Sequence, residues 1–230
     1  MRNLWFKGVL LALAVAVAGC GQRVQVEIPP KAPVEGIRSI VVLPFDNVTN
    51  DAALGYEIEE RIADVLRSSG WYESVQTVRH LVALPPGQPV TLASLLGLDV
   101  VAEADAAIVG TATYYFEDVY VDVPYCSGCG RTDVTPTWSV TQTTHVAVRF
   151  TARLIETATG RELYAVTAEG EDTDLYTHFS IHRGDNPPAE ALVPKPNRQR
   201  VPATRSWAID RAVRQFTRDL LPTYEWRAVE

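Results

Sequence analysis

The sequence predicts an α+β fold, a β-sheet packed against helices with one extended β-hairpin projecting from it. Three observations carry that expectation. The unbroken apolar run Ile40-Val41-Val42-Leu43-Pro44-Phe45 suits a strand covered on both faces. Leu54, Ile58, Ile62 and Val65 or Leu66 fall on one side of a helical period, with Glu57, Glu59, Glu60, Arg61, Asp64 and Arg67 mostly off it. Strand patterns recur at residues 105–115, 148–156 and 162–169, the first two separated by a long alternating excursion.

At the N-terminus, Arg2 and Lys7 precede an uncharged run over residues 8–17, then Ala18, Gly19 and Cys20. A spanning helix needs about 20 apolar residues; this run is shorter and ends in small residues, so it reads as a cleaved signal peptide. Residues 21–36 are polar and carry Pro29, Pro30 and Pro33, which favour extended backbone and a tether. Such a tether reaches on the order of 50 Å at about 3.3 Å per residue.

Pro44 cannot donate a ladder hydrogen bond, so the first strand is expected to end there or to have one free side. Asn50 or Asp51 can cap the following helix, which runs to about Ser68 and stops at Gly70. Residues 71–78 read as a second strand, Pro85-Pro86-Gly87 as a loop, and residues 91–97 and 100–104 as short helical pieces. Ala106-Ala107-Ile108-Val109-Gly110 begins a buried strand, with Gly110 expected to let a neighbouring backbone come close. Residues 157–161, with Gly160, make a turn between two further strands. Trp207, Ile209, Ala212 or Val213, Phe216 and Leu220 form a stripe on a last helix closed by Pro222. The expected order is β, α, β, α, β, β, β, α.

Val17-Ala18-Gly19-Cys20 resembles the bacterial lipobox. The resemblance implies that the Cys20 thiol is acylated with palmitate-type chains and becomes the first residue of the mature protein. Gly21, where Asp would retain the protein in the inner membrane, implies sorting to the outer membrane. Each buried methylene contributes about 0.8 kcal/mol, so two or three acyl chains anchor durably where one does not. The mature chain has 211 residues and a formal charge of −9, against −7 for the whole. That is enough for one well-cored domain. The charge speaks against nucleic acid or anionic headgroups as a broad partner surface. The expected division is a signal peptide over 1–19, an acylated cysteine and tether over 20–36, a periplasmic domain over 37–222 and a tail over 223–230.

Three segments resemble the CsgG-like outer-membrane lipoproteins, the family of the curli secretion channel, PelC and LpoB, whose fold is shared by the TolB amino-terminal domain. They are Val42-Leu43-Pro44-Phe45-Asp46-Asn47, then Ala104-Asp105-Ala106-Ala107-Ile108-Val109-Gly110-Thr111, then Arg153-Leu154-Ile155-Glu156-Thr157-Ala158-Thr159-Gly160-Arg161-Glu162-Leu163. The likeness covers residues 36–221. It implies an anticodon-binding-domain-like sheet, a homo-oligomeric ring, envelope protein partners and no chemistry. The function implied is that of a structural or accessory component of an envelope secretion or surface-polymer assembly system. The alternatives within the family are a peptidoglycan-synthase activator of the LpoB type and a curli-type channel subunit.

A channel subunit would donate hairpins to a membrane barrel, whose strands alternate over about 9–11 residues. Val119, Val121 and Val123 alternate with Asp118, Tyr120 and Asp122; on the return, Trp138, Val140, Val146 and Val148 alternate with Ser139, Thr141, His145 and Arg149. This hairpin is a candidate membrane or partner surface, with Trp138 the one tryptophan expected there. A second hairpin would fall in residues 169–205. Only its first arm alternates, through Leu175, Phe179 and Ile181; the return carries Pro187, Pro188, Pro194, Pro196 and Pro202, which cannot pair inside a barrel wall. A non-spanning accessory lipoprotein is therefore preferred.

Cys126 and Cys129 stand at the tip of the excursion, in Tyr125-Cys126-Ser127-Gly128-Cys129-Gly130. In an oxidising compartment they are expected to close a small disulfide ring. A redox or metal site is the sharper alternative, but Pro124, Gly128 and Gly130 oppose the helix that lowers a thiol pKa. Zinc would want four ligands, and His80, His145, His178 and His182 are scattered. No phosphate loop, dinucleotide fingerprint, GxSxG elbow or HExxH helix occurs. No catalytic residue, metal or cofactor is expected.

Overall fold

The computed structural model describes residues 23–78, 99–184 and 186–228. The expected signal peptide, the Cys20 lipidation site, His80, the Pro85-Pro86-Gly87 loop and the helical piece at 91–97 lie outside them. Strand β1 (Arg23–Ile28) comes first, followed by Ala32 and Val34, which are buried in the core. β2 (Ser39–Val42) is the apolar run, and Ile40, Val41 and Val42 are all buried. Leu43 still donates its N–H to the Ile108 carbonyl at 2.9 Å, and the ladder breaks at Pro44, which has no donor. Pairing resumes in β3 (Asp46–Asn47).

Helix α1 (Leu54–Ser69) buries Leu54, Ile58, Ile62 and Leu66 on the face its spacing predicts. Two details differ from expectation. The N-cap is Ala53 with no side-chain cap, because Asp51 accepts the Ala53 N–H at 3.0 Å and turns its carboxylate to Arg205. Glu59, expected off the buried face, is buried. Gly70 ends the helix at φ 64°, where a side chain would be strained. β4 (Ser74–Thr77) then pairs parallel to β2, and α2 (Asp99–Ala102) is the short helical piece expected near residue 100.

The rest of the sheet is antiparallel and much longer. β5 (Ala106–Val121) lies parallel to β2 through Ile108 and antiparallel to β7 (Thr137–Glu156), with the short β6 (Tyr125–Ser127) at the tip. β8 (Glu162–Arg183) follows the turn at Gly160 (φ 69°) and pairs along β7 from Ile155 to Thr137. The excursion is thus the same strands continuing past the core. Seven strands form this mixed sheet, in the order β4-β2-β5-β7-β6 with β3 on β5 and β8 on β7. Among the described residues it does not close into a barrel.

Helix α3 (Val201–Thr217) lies against β7, β8 and α1. It crosses β8 at Gly170, where an added Cβ would sit 2.0 Å from the Ala208 carbonyl oxygen and 2.6 Å from the Ala212 nitrogen. Phe216, Phe150 and Phe45 form a chain of edge-on rings at 6.2 and 5.9 Å through the core. Gly110 makes room for the Phe45 ring, 2.2 Å from where its Cβ would be, and not for a backbone as expected. Trp207, expected in the buried stripe, is 55% exposed; Val201, Thr204, Ala208, Ile209, Ala212, Val213 and Phe216 make up the buried side.

The chain ends its described course in β9 (Thr223–Ala228), which pairs antiparallel with β1 from Arg23↔Ala228 to Ile28↔Thr223. The segments read as a tether and a tail are therefore extended but held together as a two-stranded ribbon. The paired residues stand 195 to 205 positions apart in sequence, which local patterning does not register. Among the described residues no helix is long and apolar enough to cross a membrane.

Candidate interaction surface

β5, β7 and β8 form a three-stranded ladder with two distinct faces. A β-bulge between Ala112 and Tyr114 sets which residues look which way. Before it, Ala106, Ile108 and Ala112 lie on the helix side of the sheet; after it, Tyr115, Glu117, Val119 and Val121 continue that side, opposite Val148, Val146, Thr144 and Gln142. One extra residue reverses the parity of a strand.

The inner face of the projecting part is covered by the chain's own proline-rich return. The segment over residues 186–200, with two 3₁₀ turns at Glu190–Leu192 and Arg198–Arg200, crosses the sheet as a strap. Its hold is polar and two-sided. Asn197 donates its backbone N–H to Gln142 Oε1 at 2.7 Å, and Gln142 Nε2 donates to the Asn197 carbonyl at 2.8 Å. Arg198 pairs with Glu117; Arg200 pairs with Asp174 at 3.1 Å and lies 4.5 Å over the Tyr176 ring. Toward the tip, Val119 and Val121 share an open cavity of about 940 Å³ with Val193, Pro194 and Pro196.

This places the five hairpin residues read from the sequence. Val140 is 2% exposed, Val119 and Val121 are half-buried, and Val123 is 87% exposed. Trp138 is half-buried and its Nε1–H donates to the Gly184 carbonyl at 2.9 Å. The five do not form one apolar stripe.

The outer face carries what the alternation pattern missed. Tyr114, Phe116 and Tyr120 stand on β5, each about 40% exposed, and Leu175 on β8 is 66% exposed. Tyr120, Thr143 and Leu175 are directly opposite one another across the three strands. Lower down, Arg149 pairs with Glu169 at 2.6 Å and lies 5.6 Å from the Tyr114 ring, and His145 Nε2 lies 2.9 Å from Glu171. Tyr114, Phe116, His145 and Ala147 line a shallow groove of about 510 Å³. The signal was present as Tyr114, Phe116 and Tyr120 at even spacing, but the bulge decides which parity is outside.

At the tip, Cys126 and Cys129 form a disulfide with Cα atoms 5.8 Å apart, closed by Gly128 at φ 89°. No helix follows them. Among the described residues no group of three or more His, Cys, Asp or Glu side chains is placed to hold a metal ion.

Two charged sites are structural. Arg205 reaches Asp51 with both Nη atoms (2.5 and 2.9 Å) and Glu57 with Nε (2.7 Å), joining the start of α3 to the start of α1. Its hydrogen bonds hold the Asp51 carboxyl below the usual range. Beside them the Tyr115 hydroxyl donates to Glu117 at 2.6 Å; burial and that carboxylate push it up to about 12. Asp105 accepts the N–H groups of Arg38 and Ser39 and the Ser39 hydroxyl, at 2.8 to 2.9 Å. Those donors, the Arg38 N–H foremost, lower its pKa.

No family model matches the chain, and no curated protein matches it. Among solved structures it is similar to the PelC dodecamer from Paraburkholderia phytofirmans, at 14% identity over 84% of this chain and 96% of that one, with a TM-score of 0.39. It is similar to a lipoprotein from Neisseria meningitidis at 16% identity over 67% and 89%, TM-score 0.35. The C-terminal domain of LpoB from Salmonella enterica stands at 14% over 58% and 82%, TM-score 0.36.

Proposed function

We propose that this chain is a non-catalytic lipoprotein, held to the periplasmic face of the outer membrane by acyl chains on Cys20. It serves as a structural component of an envelope secretion or surface-polymer assembly system, and it acts as a homo-oligomer.

One observation carries the oligomeric part. Tyr114, Phe116, Tyr120 and Leu175 lie exposed on one face of a three-stranded sheet whose opposite face is occupied by its own strap. Single exposed apolar residues need no explanation, but four large ones on one sheet face support a surface that meets something. A sheet face repeated on identical subunits is suited to side-by-side contacts, which close into a ring when the rotation allows.

The test is the mass of the acylated protein in detergent at micromolar concentration. A species larger than the monomer is expected, reduced to monomer by Phe116→Asp with Tyr120→Asp while the circular dichroism of the fold is retained. A wild-type protein that stays monomeric overturns the assembly. The anchor is tested separately, because Cys20→Ser is expected to release folded protein from the membrane fraction.

A further inference from the structure

The ribbon of β1 and β9 is too small to account for itself. An isolated two-stranded ribbon is at best marginally stable in water. Here all six residues of β9 are exposed, with Tyr224 at 55% and Trp226 at 66%. Burying a large apolar side chain is favourable, so leaving these open forgoes stabilisation that a covering surface would supply.

The pairing puts the aromatics together. Trp226 is opposite Gln25 and Tyr224 opposite Glu27, so one face presents Tyr224, Trp226 and Ala228 beside Arg23, Gln25 and Glu27. The Tyr224 hydroxyl donates to Glu27 Oε2 at 3.3 Å, and the Trp226 side chain beside it is exposed. Trp and Tyr with an apolar body and a polar tip are the side chains that settle at a membrane–water interface.

What covers this face is indicated by chain length. Cys20 stands three positions before Arg23. Three residues span at most about 10 Å at about 3.3 Å each, and Gln25, the partner of Trp226, is two residues further along. If the Cys20 acyl chains are in the bilayer, the ribbon is kept within reach of the headgroups whatever the rest of the domain does. A second copy or a protein partner has no such tie to this face.

We infer that the Tyr224–Trp226 face of the β1–β9 ribbon docks on the phospholipid interface beside the lipid anchor. It is a second membrane contact that fixes how the domain is oriented. The ribbon thereby couples the C-terminal strand to the anchored N-terminal strand. The inference rests on the proposed acylation of Cys20.

The experiment uses the full acylated protein in vesicles of phosphatidylethanolamine and phosphatidylglycerol, with and without lipids brominated near the glycerol end of the acyl chain. The fluorescence removed by Trp226→Phe isolates the Trp226 signal from Trp71, Trp138 and Trp207. That signal is expected to be quenched at least about two-fold by the brominated lipid, as suits an interfacial indole, and Tyr224→Ser is expected to weaken the quenching. Mass spectrometry of Cys20 and flotation of the vesicles are read on the same samples. Acylated, vesicle-bound protein whose Trp226 is not quenched overturns the docking and leaves the anchor standing. Trp226 shielded from aqueous acrylamide but not reached by bromine assigns the face to a second copy or a partner, and also overturns it. Protein that is neither acylated nor vesicle-bound overturns the anchor and the docking together.

Discussion

Gln142 and Asn197 exchange two hydrogen bonds, side-chain amide to backbone, at 2.7 and 2.8 Å, and Gln142 is only 3% exposed. Two donors and two acceptors are matched, with the Gln142 side chain buried and Asn197 at the surface. A strand residue thereby holds a proline-rich segment that cannot hold itself by strand pairing.

Removing the Gln142 amide abolishes both bonds and leaves the exposed Asn197 backbone groups to water. At about 0.5–1.5 kcal/mol net for each bond, Gln142→Ala is expected to cost about 1–3 kcal/mol, measured by urea unfolding. Hydrogen exchange at the Asn197 amide should accelerate well beyond that of the core strands. Gln142→Glu should be comparably damaging, because a carboxylate accepts from the Asn197 N–H but cannot donate to its carbonyl.

Two glycines with close neighbours should respond differently. Gly170→Ala meets the Ala208 carbonyl and the Ala212 nitrogen, which are backbone atoms of α3 and cannot move singly. A loss of about 3 kcal/mol, the upper end for overpacking, is expected. Gly110→Ala meets the Phe45 ring, which can be trimmed. Phe45→Leu combined with Gly110→Ala should cost less than the sum of the two alone; strict additivity would show that the contact is not what Gly110 serves.

The acid limb of stability should carry Asp105 and Asp51. Both have folded pKa values below the ordinary one, Asp105 through the N–H groups of Arg38 and Ser39 and Asp51 through Arg205. A depressed carboxyl contributes stability that is present above the unfolded pKa of about 3.9 and lost as pH falls through the lower folded value. Urea midpoints should therefore fall on acidification below about pH 4, and Asp105→Asn should be less stable at pH 7 with a flatter acid limb. An unchanged slope in that variant would refute the assignment.

The tip disulfide should matter little to the fold. For a loop of four residues the chain-entropy model allows about 2 kcal/mol at most. Replacing both Cys126 and Cys129 by serine should loosen hydrogen exchange between Val123 and Pro136 and leave the exchange of β2 and α1 unchanged. A global loss of protection would mean that the tip is part of the cooperative unit.

Much of the architecture is written in short-range pattern. The α1 stripe, the apolar run of β2, the turn at Gly160 and the stop at Gly70 each need only a few neighbouring residues to be recognised, and each stands where the pattern places it. The CxxC pair at the excursion tip was legible in the same way. Less of the surface was legible. Val119, Val121 and Val140 alternate as an outward face would, yet they look toward the strap, while Tyr114, Phe116 and Tyr120 look outward. Trp138 stands in the hairpin, but its indole N–H is bonded to the Gly184 carbonyl, and Trp226 is the more exposed.

By itself the sequence determined the α+β alternation, the helix faces, the long hairpin and the Cys20 motif from which the lipid anchor is inferred, because periodicity, turn chemistry and short motifs are local properties. The tertiary structure alone decided three things: the bulge beyond Ala112 that reverses the parity of β5, the strap closing on Gln142, and the ribbon joining Arg23 to Ala228. Each depends on hydrogen bonds between residues far apart in the chain. A strand's own residues fix its period of two, but only its partner fixes which side is in.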